Sequence, residues 1–195
     1  MLRPPSFTSA RLVYRAPRFP QDEAVFADFL SDPGVLLGAV PTTCKPLNTA
    51  ELAYFKKVSE EASPGLAVFA CLPLSDAEPT KPGEPVGWLN LAQVGEFGGV
   101  HRKACFGLFF SAKHSRKGYA TEAVEWLLEI AFVSYGLHRL EANCFAWNTA
   151  ALRVYDKCGF TVEGTRRQVF WQEGGWRDDN CPVRPSHSLA LALLD

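Results

Sequence analysis

The strongest constraint on the fold is a long amphipathic stretch from about Gly118 to Tyr135. Its apolar residues recur at alternating steps of three and one, which places them on one face of an α-helix. The residues of this apolar face are Ala120, Ala123, Val124, Leu127, Leu128, Ala131, Phe132 and Tyr135. Gly136 follows directly, and glycine ends helices at this position because it tolerates a left-handed backbone. The chain therefore contains one long helix that must bury its apolar face against another layer.

Shorter elements surround this helix on both sides. Apolar or alternating runs bounded by turn residues predict strands over residues 9–16, 66–72, 86–93, 102–111, 138–146, 160–171 and 188–194. Further helices are predicted over residues 21–31, 49 to about 60, and 148–157, with Thr49 as a candidate N-cap. Loops are predicted over residues 33–48, 73–85 and 171–186, of which 73–85 is rich in proline and exposed. The pattern predicts a mixed α/β sheet with one helix crossover near its centre.

Composition excludes several classes of protein. The 195 residues suffice for one domain over residues 1–195. A count of 20 basic and 21 acidic residues gives a net charge of −1, which argues against nucleic-acid binding. No apolar stretch approaches the ~20 residues that a membrane helix needs. The six cysteines form no CxxC pair and have no ligand spacing with histidine, so we expect free thiols, no metal, and a reducing compartment, the cytoplasm.

The turn before the long helix has the composition of an anion-binding site. A strand ends in Leu-Phe-Phe, the cations Lys113, Arg116 and Lys117 follow, and Gly118 opens the helix. The first N–H groups of a helix lack internal partners and lie at the positive end of its dipole, and glycine lets an anion approach them closely. A phosphate site made by the backbone is one interpretation. The other is an ordinary helix start with a solvated basic turn.

A second segment carries polar residues at defined spacing. Arg139-Leu140-Glu141-Ala142-Asn143 is followed by Asn148 and Tyr155, and then by Lys157 to Gly164. Taken singly, Asn148 is a normal N-cap, and Tyr155 on a short helix is by default a core aromatic residue.

Together the two segments resemble the GCN5-related N-acetyltransferase (GNAT) superfamily, in particular its RimJ/RimL-like branch. The marker [Gln/Arg]-x-x-Gly-x-[Gly/Ala] is similar to the run from Ser115 to Ala120, and Thr121-Glu122-Ala123 continues the branch pattern. The run Arg139–Asn143 with Asn148 and residues 157–164 resembles the second signature. Ala10 to Arg15 and Trp176-Arg177-Asp178 resemble the first strand and the C-terminal pattern, so the resemblance spans essentially the whole chain.

The resemblance implies a single-domain acyl-CoA N-acyltransferase fold, with a mixed, mostly antiparallel sheet flanked by helices. It implies transfer of acetyl from acetyl-CoA to a primary amine, either a peptide N-terminus or a small amine, without a covalent protein intermediate. A catalytically silent CoA-binding module with the same fold remains the alternative. Two departures stand out: Ser115 replaces the usual Gln or Arg, and Ala151 stands where a serine is frequent.

The resemblance also assigns roles to residues. It places the CoA pyrophosphate on the N–H groups of residues 116–121, the pantetheine on backbone groups of two strand residues and on an asparagine, and the general acid on Tyr155. The implied acetyl-CoA contacts are Phe109, Phe110, Arg116, Lys117, Gly118, Tyr119, Ala120, Thr121 and Asn148.

The general base and the acceptor are less constrained. Glu141 is the only carboxylate on the strand face that it shares with Asn143, and it is either the base, acting through water, or a salt-bridge partner. Glu96 is a weaker option. We expect the acceptor site to involve residues 31–50 and 171–186, which hold no dense acidic cluster, and this favours a peptide or a neutral small amine over polyamines. A monomer and a homodimer are both compatible with the sequence.

Overall fold

The described part of the chain forms an eight-stranded sheet with helices on both faces. The computed structural model describes residues 6–39, 45, 47–61, 65–93 and 99–186. The strands are β1 (Val13–Arg15), β2 (Leu66–Ser75), β3 (Glu78–Gln93), β4 (Lys103–Phe110), β5 (Arg139–Glu141), β6 (Cys144–Phe145), β7 (Thr161–Gln172) and β8 (Gly175–Pro185). The helices are α1 (Glu23–Leu30), α2 (Pro33–Ala39), α3 (Thr49–Glu61), α4 (Tyr119–Glu129) and α5 (Thr149–Lys157).

The sheet is mixed and mostly antiparallel, as predicted. Its strand order is β1-β2-β3-β4-β5-β8-β6, and β7 also pairs with β8. Among the described strands, only β4 and β5 run parallel. Parallel neighbours need a crossover connection, and α4 provides it by carrying the chain from the end of β4 back to the start of β5.

Two cores cover the two faces of the sheet. On one face, α1, α2 and α3 pack over β2, β3 and β4 through an aromatic cluster that includes Phe26, Phe29, Phe55, Phe69, Trp88 and Phe109. On the other face, α4 and α5 pack through a second cluster that includes Val124, Leu127, Leu140, Ala142, Cys144 and Tyr155. The predicted amphipathic helix is confirmed as α4, which continues in one π-helical turn, Ile130–Ser134, before Gly136 adopts a φ of 61°.

The proline-rich stretch 73–85 is a β-hairpin, so the predicted loop is wrong. β2 and β3 continue through it and are joined by a tight turn after Ser75. Their pairing shifts register after Ala70, Cys71 and Pro73. Because irregular pairing leaves some backbone positions outside the ladder, prolines that cannot donate a hydrogen bond are accommodated there.

Two helix starts also differ from the sequence-based expectation. Residues 33–48 were expected to be a loop, but α2 begins at Pro33, where Asp32 Oδ1 accepts the N–H groups of Gly34 and Val35. The predicted helix from Thr49 is confirmed as α3, yet its N-cap is Asn48, whose Oδ1 accepts the N–H groups of Ala50 and Glu51. The Glu51 carboxylate accepts the Asn48 N–H in return, which completes a capping box.

The C-terminal half of the sheet holds the remaining differences. The predicted strand 138–146 splits into β5 and β6, and the predicted strand 9–16 is reduced to β1. Residues 171–186 are not a loop: the end of β7 turns directly into β8, which pairs with β5, β6 and β7. The predicted strand 188–194 lies outside the described residues.

Candidate functional site

The turn between β4 and α4 has an unusual backbone. We call the segment Ser115–Thr121 the phosphate turn. After a short 3-10 turn (Ala112–His114), Arg116 adopts a φ of 60° and Gly118 a φ of 82°, both in the left-handed region. Gly118 is the N-cap of α4 and supplies no side-chain cap. Successive N–H groups in such a loop point inward and form a concavity that suits an anion.

The N–H groups of residues 116–121 are available to a ligand. Ser115 N–H donates to Ala112 and Glu122 N–H donates to Gly118, but within the described part of the chain none of the N–H groups between them finds an acceptor. Helix N-termini ordinarily leave their first N–H groups unpaired, and here the run extends through the preceding turn. The sequence predicts a phosphate at this turn, and that assignment stays a prediction.

A contact from the first strand region fixes the shape of the turn. Glu122, in the first turn of α4, accepts hydrogen bonds from Ser9 Oγ at 2.7 Å and from the Arg11 N–H at 2.6 Å. The Arg11 guanidinium pairs with Glu122 at 2.8 Å, donates to the Lys117 carbonyl at 2.9 Å, and lies 4.9 Å from the centre of the Tyr119 ring. Arg11 and Glu122 both lie in sequence motifs, but their pairing could not be predicted because they are far apart in the sequence.

The charge around the turn is positive. Arg116 and Lys117 are exposed and form no ion pair with a described residue. Lys113 lies 3.6 Å from Asp28, and His114 lies 3.2 Å from Glu84. Ala120 and Thr121 contribute N–H groups, and the Thr121 carbonyl accepts from the Cys158 thiol at 3.8 Å, which ties α4 to the end of α5.

The sheet opens next to the phosphate turn. β4 and β5 pair only from Lys103↔Arg139 to Cys105↔Glu141. Beyond Cys105, no strand of the described residues pairs with this edge of β4, and β6 continues on β8 alone. The result is a cleft between the C-terminal half of β4 and β6, which we call the β4–β6 cleft.

The backbone of Leu108 and Phe110 faces this cleft. The Ser111 N–H donates to Val86 on β3, and the Arg102 carbonyl accepts from His138 and Arg139 on the β5 side. Because backbone groups alternate between the two sides of a strand, even-numbered residues of β4 face the cleft and odd-numbered residues face β3.

This alternation corrects one sequence-based assignment. Phe110 keeps its predicted place beside the cleft. The backbone of Phe109 instead faces β3, and its ring packs against Trp88 at 5.3 Å in the aromatic cluster. Leu108, which the sequence analysis did not single out, takes the predicted position of Phe109 at the cleft.

Tyr155 lies beside the cleft at the point where β4 and β5 part. Its ring contacts Phe106 edge-on at 5.5 Å, and only 6% of the residue is exposed. Its hydroxyl forms no hydrogen bond with any described residue. Burial, and to a smaller extent the neighbouring thiols of Cys144, Cys105 and Cys158, raises the pKa of the phenol well above its usual value. The phenol is therefore protonated at neutral pH.

Asn148 and Trp147 hold α2 against α5. The Asn148 Oδ1 caps α5 by accepting the Ala151 N–H at 3.0 Å, and its Nδ2 donates to the Gly38 carbonyl at 2.8 Å. The Trp147 indole donates to the Leu37 carbonyl at 2.9 Å. Two carbonyls at the C-terminal end of α2 are thus satisfied by the segment before α5. One Asn148 Nδ2 hydrogen remains for a ligand, because the amide nitrogen carries two.

Glu141 is a salt-bridge partner in this structure. Its Oε1 accepts from Arg139 Nε at 2.6 Å, and Arg139 also pairs with Glu163 at 2.8 Å. Leu140, Ala142 and Cys144 belong to the core under α4 and α5, so Glu141 and Asn143 share the opposite face, as the alternation predicts. Glu96 lies outside the described residues.

A small pocket lies on the face covered by α1 and α2. It has a volume of about 240 Å³ and is lined by Asp28, Phe29, Ser31, Asp32, Ser111 and Lys113. Ser31 and Asp32 belong to the segment 31–50 that the sequence assigns to the acceptor. The pocket mixes two carboxylates with one ammonium group.

Two kinds of feature are absent from the parts of the chain that the structure describes. No group of three or more His, Cys, Asp or Glu residues there is arranged to hold a metal ion. No helix there is long and apolar enough to span a bilayer.

Sequence comparisons agree with this geometry. The family profile described as an acetyltransferase (GNAT) domain matches residues 11–161. Over 93 residues the chain is 36% identical to the probable N-acetyltransferase YjcK of Bacillus subtilis, covering 48% of this chain and 50% of that protein. Over 96 residues it is 31% identical to the spermidine N(1)-acetyltransferase of Escherichia coli, covering 49% and 50%. The chain thus spans about half the length of the curated relatives it matches.

A solved structure matches over most of the chain. The structure of Mycobacterium smegmatis RimJ in complex with CoA-disulfide has a TM-score of 0.72 and 26% sequence identity, and the match covers 91% of this chain and 83% of that one.

Proposed function

Because the chain belongs to the acetyltransferase (GNAT) domain family, we propose that it transfers an acetyl group from acetyl-CoA to a primary amine. The observation that carries the proposal is the run of unbonded N–H groups at residues 116–121, directly beside a sheet that opens at β4. A diphosphate with an extended, amide-containing arm needs these two features in this order: N–H groups for the phosphates, then an unpaired strand edge for the amides.

The described residues fit acetyl-CoA. In the proposal the phosphate turn holds the pyrophosphate, with Arg116 and Lys117 adding charge. The strand edge at Leu108 and Phe110 pairs with the pantetheine, and the remaining Nδ2 hydrogen of Asn148 contributes a further bond. Gly118 lets the phosphates approach, since a Cβ at a φ of 82° is strained and lies 3.3 Å from the Arg11 guanidinium.

The chemistry follows from the groups at the cleft. A neutral amine attacks the thioester carbonyl, and a backbone N–H of β4 stabilises the developing oxyanion. Tyr155 donates a proton to the leaving sulfur. Burial raises the pKa of the nearby thiols, to about 11 for Cys105 and about 12 for Cys144, so both stay protonated at neutral pH. Protonated thiols are poor nucleophiles, which supports direct transfer to the amine.

The finer assignments belong to the same proposal. The RimJ likeness supports a place in the RimJ/RimL-like branch, with a peptide N-terminus or a small amine as acceptor. The spermidine-acetylating relative keeps polyamines among the small amines to be tested. Five free cysteines, Cys71, Cys105, Cys144, Cys158 and Cys181, support a cytoplasmic location, where thiols stay reduced.

The test compares two glycines with left-handed backbones. Gly118→Val should weaken acetyl-CoA binding at least ~10-fold by calorimetry, because the side chain blocks the turn and strains it. Gly174→Val is the matched control: Gly174 has a φ of 73°, nothing lies within 4 Å of its Cβ position, and it sits in the hairpin between β7 and β8. The control should lose similar stability and keep its affinity.

Equal affinity in a folded Gly118→Val variant and in wild type would refute the phosphate site. An assay for CoA release with mixed primary amines then separates the enzyme from a silent CoA-binding module, which binds acetyl-CoA without turnover. The replacement of serine by alanine at position 151 is the observation that keeps the module in consideration.

A further inference from the structure

We propose that Asp179 is the residue that receives the acceptor amine, with its Oδ1 accepting an N–H of the ammonium group and then its proton. The inference rests on the proposed acetyl transfer and names a proton acceptor other than Glu141, whose carboxylate pairs with Arg139. Asp179 lies on β8, in a stretch whose sequence predicts a loop, so the residue pattern alone did not mark it.

Asp179 has one oxygen without a partner. The residue is fully buried, with 0% exposure. Its Oδ2 accepts hydrogen bonds from the Arg166 guanidinium, but its Oδ1 has no partner among the described residues. Buried polar atoms are nearly always hydrogen-bonded, so an unpaired carboxylate oxygen requires an explanation. Arg166 is half exposed and pairs with Asp179 through Oδ2, and the Cys144 thiol lies close enough for the Asp179 carboxylate to contribute to its raised pKa.

Asp179 projects to the same face of the sheet as residues that border the β4–β6 cleft. It pairs in register with Phe145 on β6 and with Arg166 on β7, and directly paired residues project to the same face of a sheet. Arg166 also donates to Asn143 Oδ1 at 3.1 Å. Phe145 and Asn143 alternate with Cys144, which lies in the core under α4 and α5. Asp179 therefore lies on the face that α1 and α2 cover.

This position lies at the β4–β6 cleft. Asn143 comes two residues after the end of β5. Its backbone N–H contacts the thiol of Cys105, which is the last β4 residue that pairs with β5. Asp179 is thus linked through Arg166 and Asn143 to the point where β4 and β5 part. The cleft edge at Leu108 begins three residues beyond Cys105.

Aromatic side chains and α2 enclose the same region. Trp147 stacks on Phe145 at 4.5 Å, and Phe170 contacts Phe145 edge-on at 4.9 Å. Trp147 also donates to Leu37 at the C-terminal end of α2. A carboxylate beside aromatic rings is the combination that binds an organic ammonium group, by charge pairing and by cation–π attraction. The acceptor class is therefore a primary ammonium ion with an apolar neighbouring portion.

The proton balance assigns a step to each group. The ammonium gives one proton to Asp179 and becomes a neutral amine. The amine nitrogen forms a bond to the thioester carbonyl carbon, the carbon–sulfur bond breaks, and the sulfur takes the proton of Tyr155. The second proton lost by nitrogen restores the phenol, and Asp179 releases its proton to solvent. The products are the amide, CoA and one proton.

The test uses two acceptors that differ in amine pKa. Nα-acetyl-lysine methylamide has an amine pKa near ~10.4, and alaninamide has one near ~8. At pH 7.5, Asp179→Asn should lower kcat/KM at least ~100-fold with the lysine derivative and less than ~10-fold with alaninamide, which is already partly neutral. The deficit with the lysine derivative should shrink as pH rises toward 10. Affinity for acetyl-CoA should equal that of wild type.

Asp178→Asn is the matched control, because the neighbouring Asp178 accepts only a backbone N–H from Gln168 through its Oδ1, which asparagine also provides. It should leave both rates unchanged. If Asp179→Asn does not fold, Asp179→Glu keeps the charge and the Arg166 pair. That variant should fold, bind acetyl-CoA normally and lose kcat.

Three outcomes overturn the inference, and they identify which claim fails. Equal losses with both acceptors, independent of pH, would leave Asp179 as a structural partner of Arg166 and keep the proposed function. Full activity in Asp179→Glu or Asp179→Asn would do the same. A wild-type protein that does not bind acetyl-CoA, or that binds it and acetylates neither amine, would refute the acetyl transfer together with the role of Asp179.

Discussion

Replacing Tyr155 with phenylalanine removes one oxygen from a buried residue. It should lower the catalytic rate without lowering the stability of the fold. The ring keeps its contacts with Phe106 and Phe160, at 5.5 and 5.7 Å, because phenylalanine has the same ring. If the phenol protonates the leaving sulfur, kcat should fall by roughly 10- to 1,000-fold, near the usual range for a general acid. Affinity for acetyl-CoA should not change.

The structure also sets the expected change in stability. The Tyr155 hydroxyl has no hydrogen-bond partner in the described part of the chain and is not among its enclosed unpaired polar atoms, so removing it breaks no hydrogen bond of the fold. Tyr155→Phe should therefore leave the free energy of unfolding unchanged or raise it. For a chain of this length, each 1 kcal/mol corresponds to about 2–4 °C in Tm. A tyrosine whose hydroxyl is satisfied in the fold predicts the opposite sign, a loss of about 1 kcal/mol.

The assay combines steady-state release of CoA with thermal unfolding of the same preparations. Tyr14→Phe is the matched control, since Tyr14 is buried, stacks on Trp126 at 3.7 Å, and has a hydroxyl bonded to Ser9 at 3.0 Å. It should lose about 1 kcal/mol of stability and keep its kcat. Normal turnover in Tyr155→Phe would contradict the assignment, and the proton for sulfur would then come from water.

Two further predictions concern charges. Lys117→Ala should weaken acetyl-CoA binding less than Gly118→Val, and the loss should shrink as salt rises, because an exposed charge is already screened; calorimetry at two ionic strengths measures it. Burial opposes ionisation of Asp22, but hydrogen bonds from Arg15 and from the Arg18 N–H outweigh it and lower the pKa of its carboxyl. The ionised carboxylate therefore contributes its full stability above the unfolded pKa of ~3.9, and this contribution is lost as the pH falls through the lower folded pKa. The difference in Tm between wild type and Asp22→Asn should be constant from pH 7 to 5 and should disappear below pH ~4.

The spacing of apolar residues was sufficient to predict an element whose own sequence carries a long, regular pattern. The alternating steps of three and one predict α4, and Gly136 ends the helix system where expected. The helix start at Gly118 was predictable for the same reason, because glycine, cations and the first helical residues are adjacent in sequence. The same holds for Asn148, which caps α5 as its residue type indicates. The phosphate assigned to the turn at Gly118 stays a prediction.

Elements that depend on distant partners were not predictable. β8 contains Asp178, Asp179, Asn180 and Pro182, which disfavour strands locally, yet three neighbouring strands pair with it. The prolines of 73–85 indicate a loop by composition, and a register-shifted hairpin accommodates them. Leu108 rather than Phe109 faces the cleft, and only individual hydrogen bonds of β4 show this. A shift of one residue along a strand reverses which residues face the cleft, so the sequence pattern alone could not decide it.

The link between Arg11 and Glu122 couples the edge of the sheet to the start of α4 and the phosphate turn across 111 positions of sequence. β1 is a three-residue strand at the edge of the described sheet, where it pairs with β2 and, through Val13 and Thr8, with the segment before it. Elements at a sheet edge with few neighbours can open by local unfolding. When β1 detaches, the turn loses the guanidinium that holds the Lys117 carbonyl. By linkage, a ligand that requires the closed turn also favours the attached strand. Ligand binding at the turn and attachment of β1 to the sheet are therefore coupled equilibria. A substitution in β1 that contacts no ligand should still change the affinity for a ligand bound at the turn.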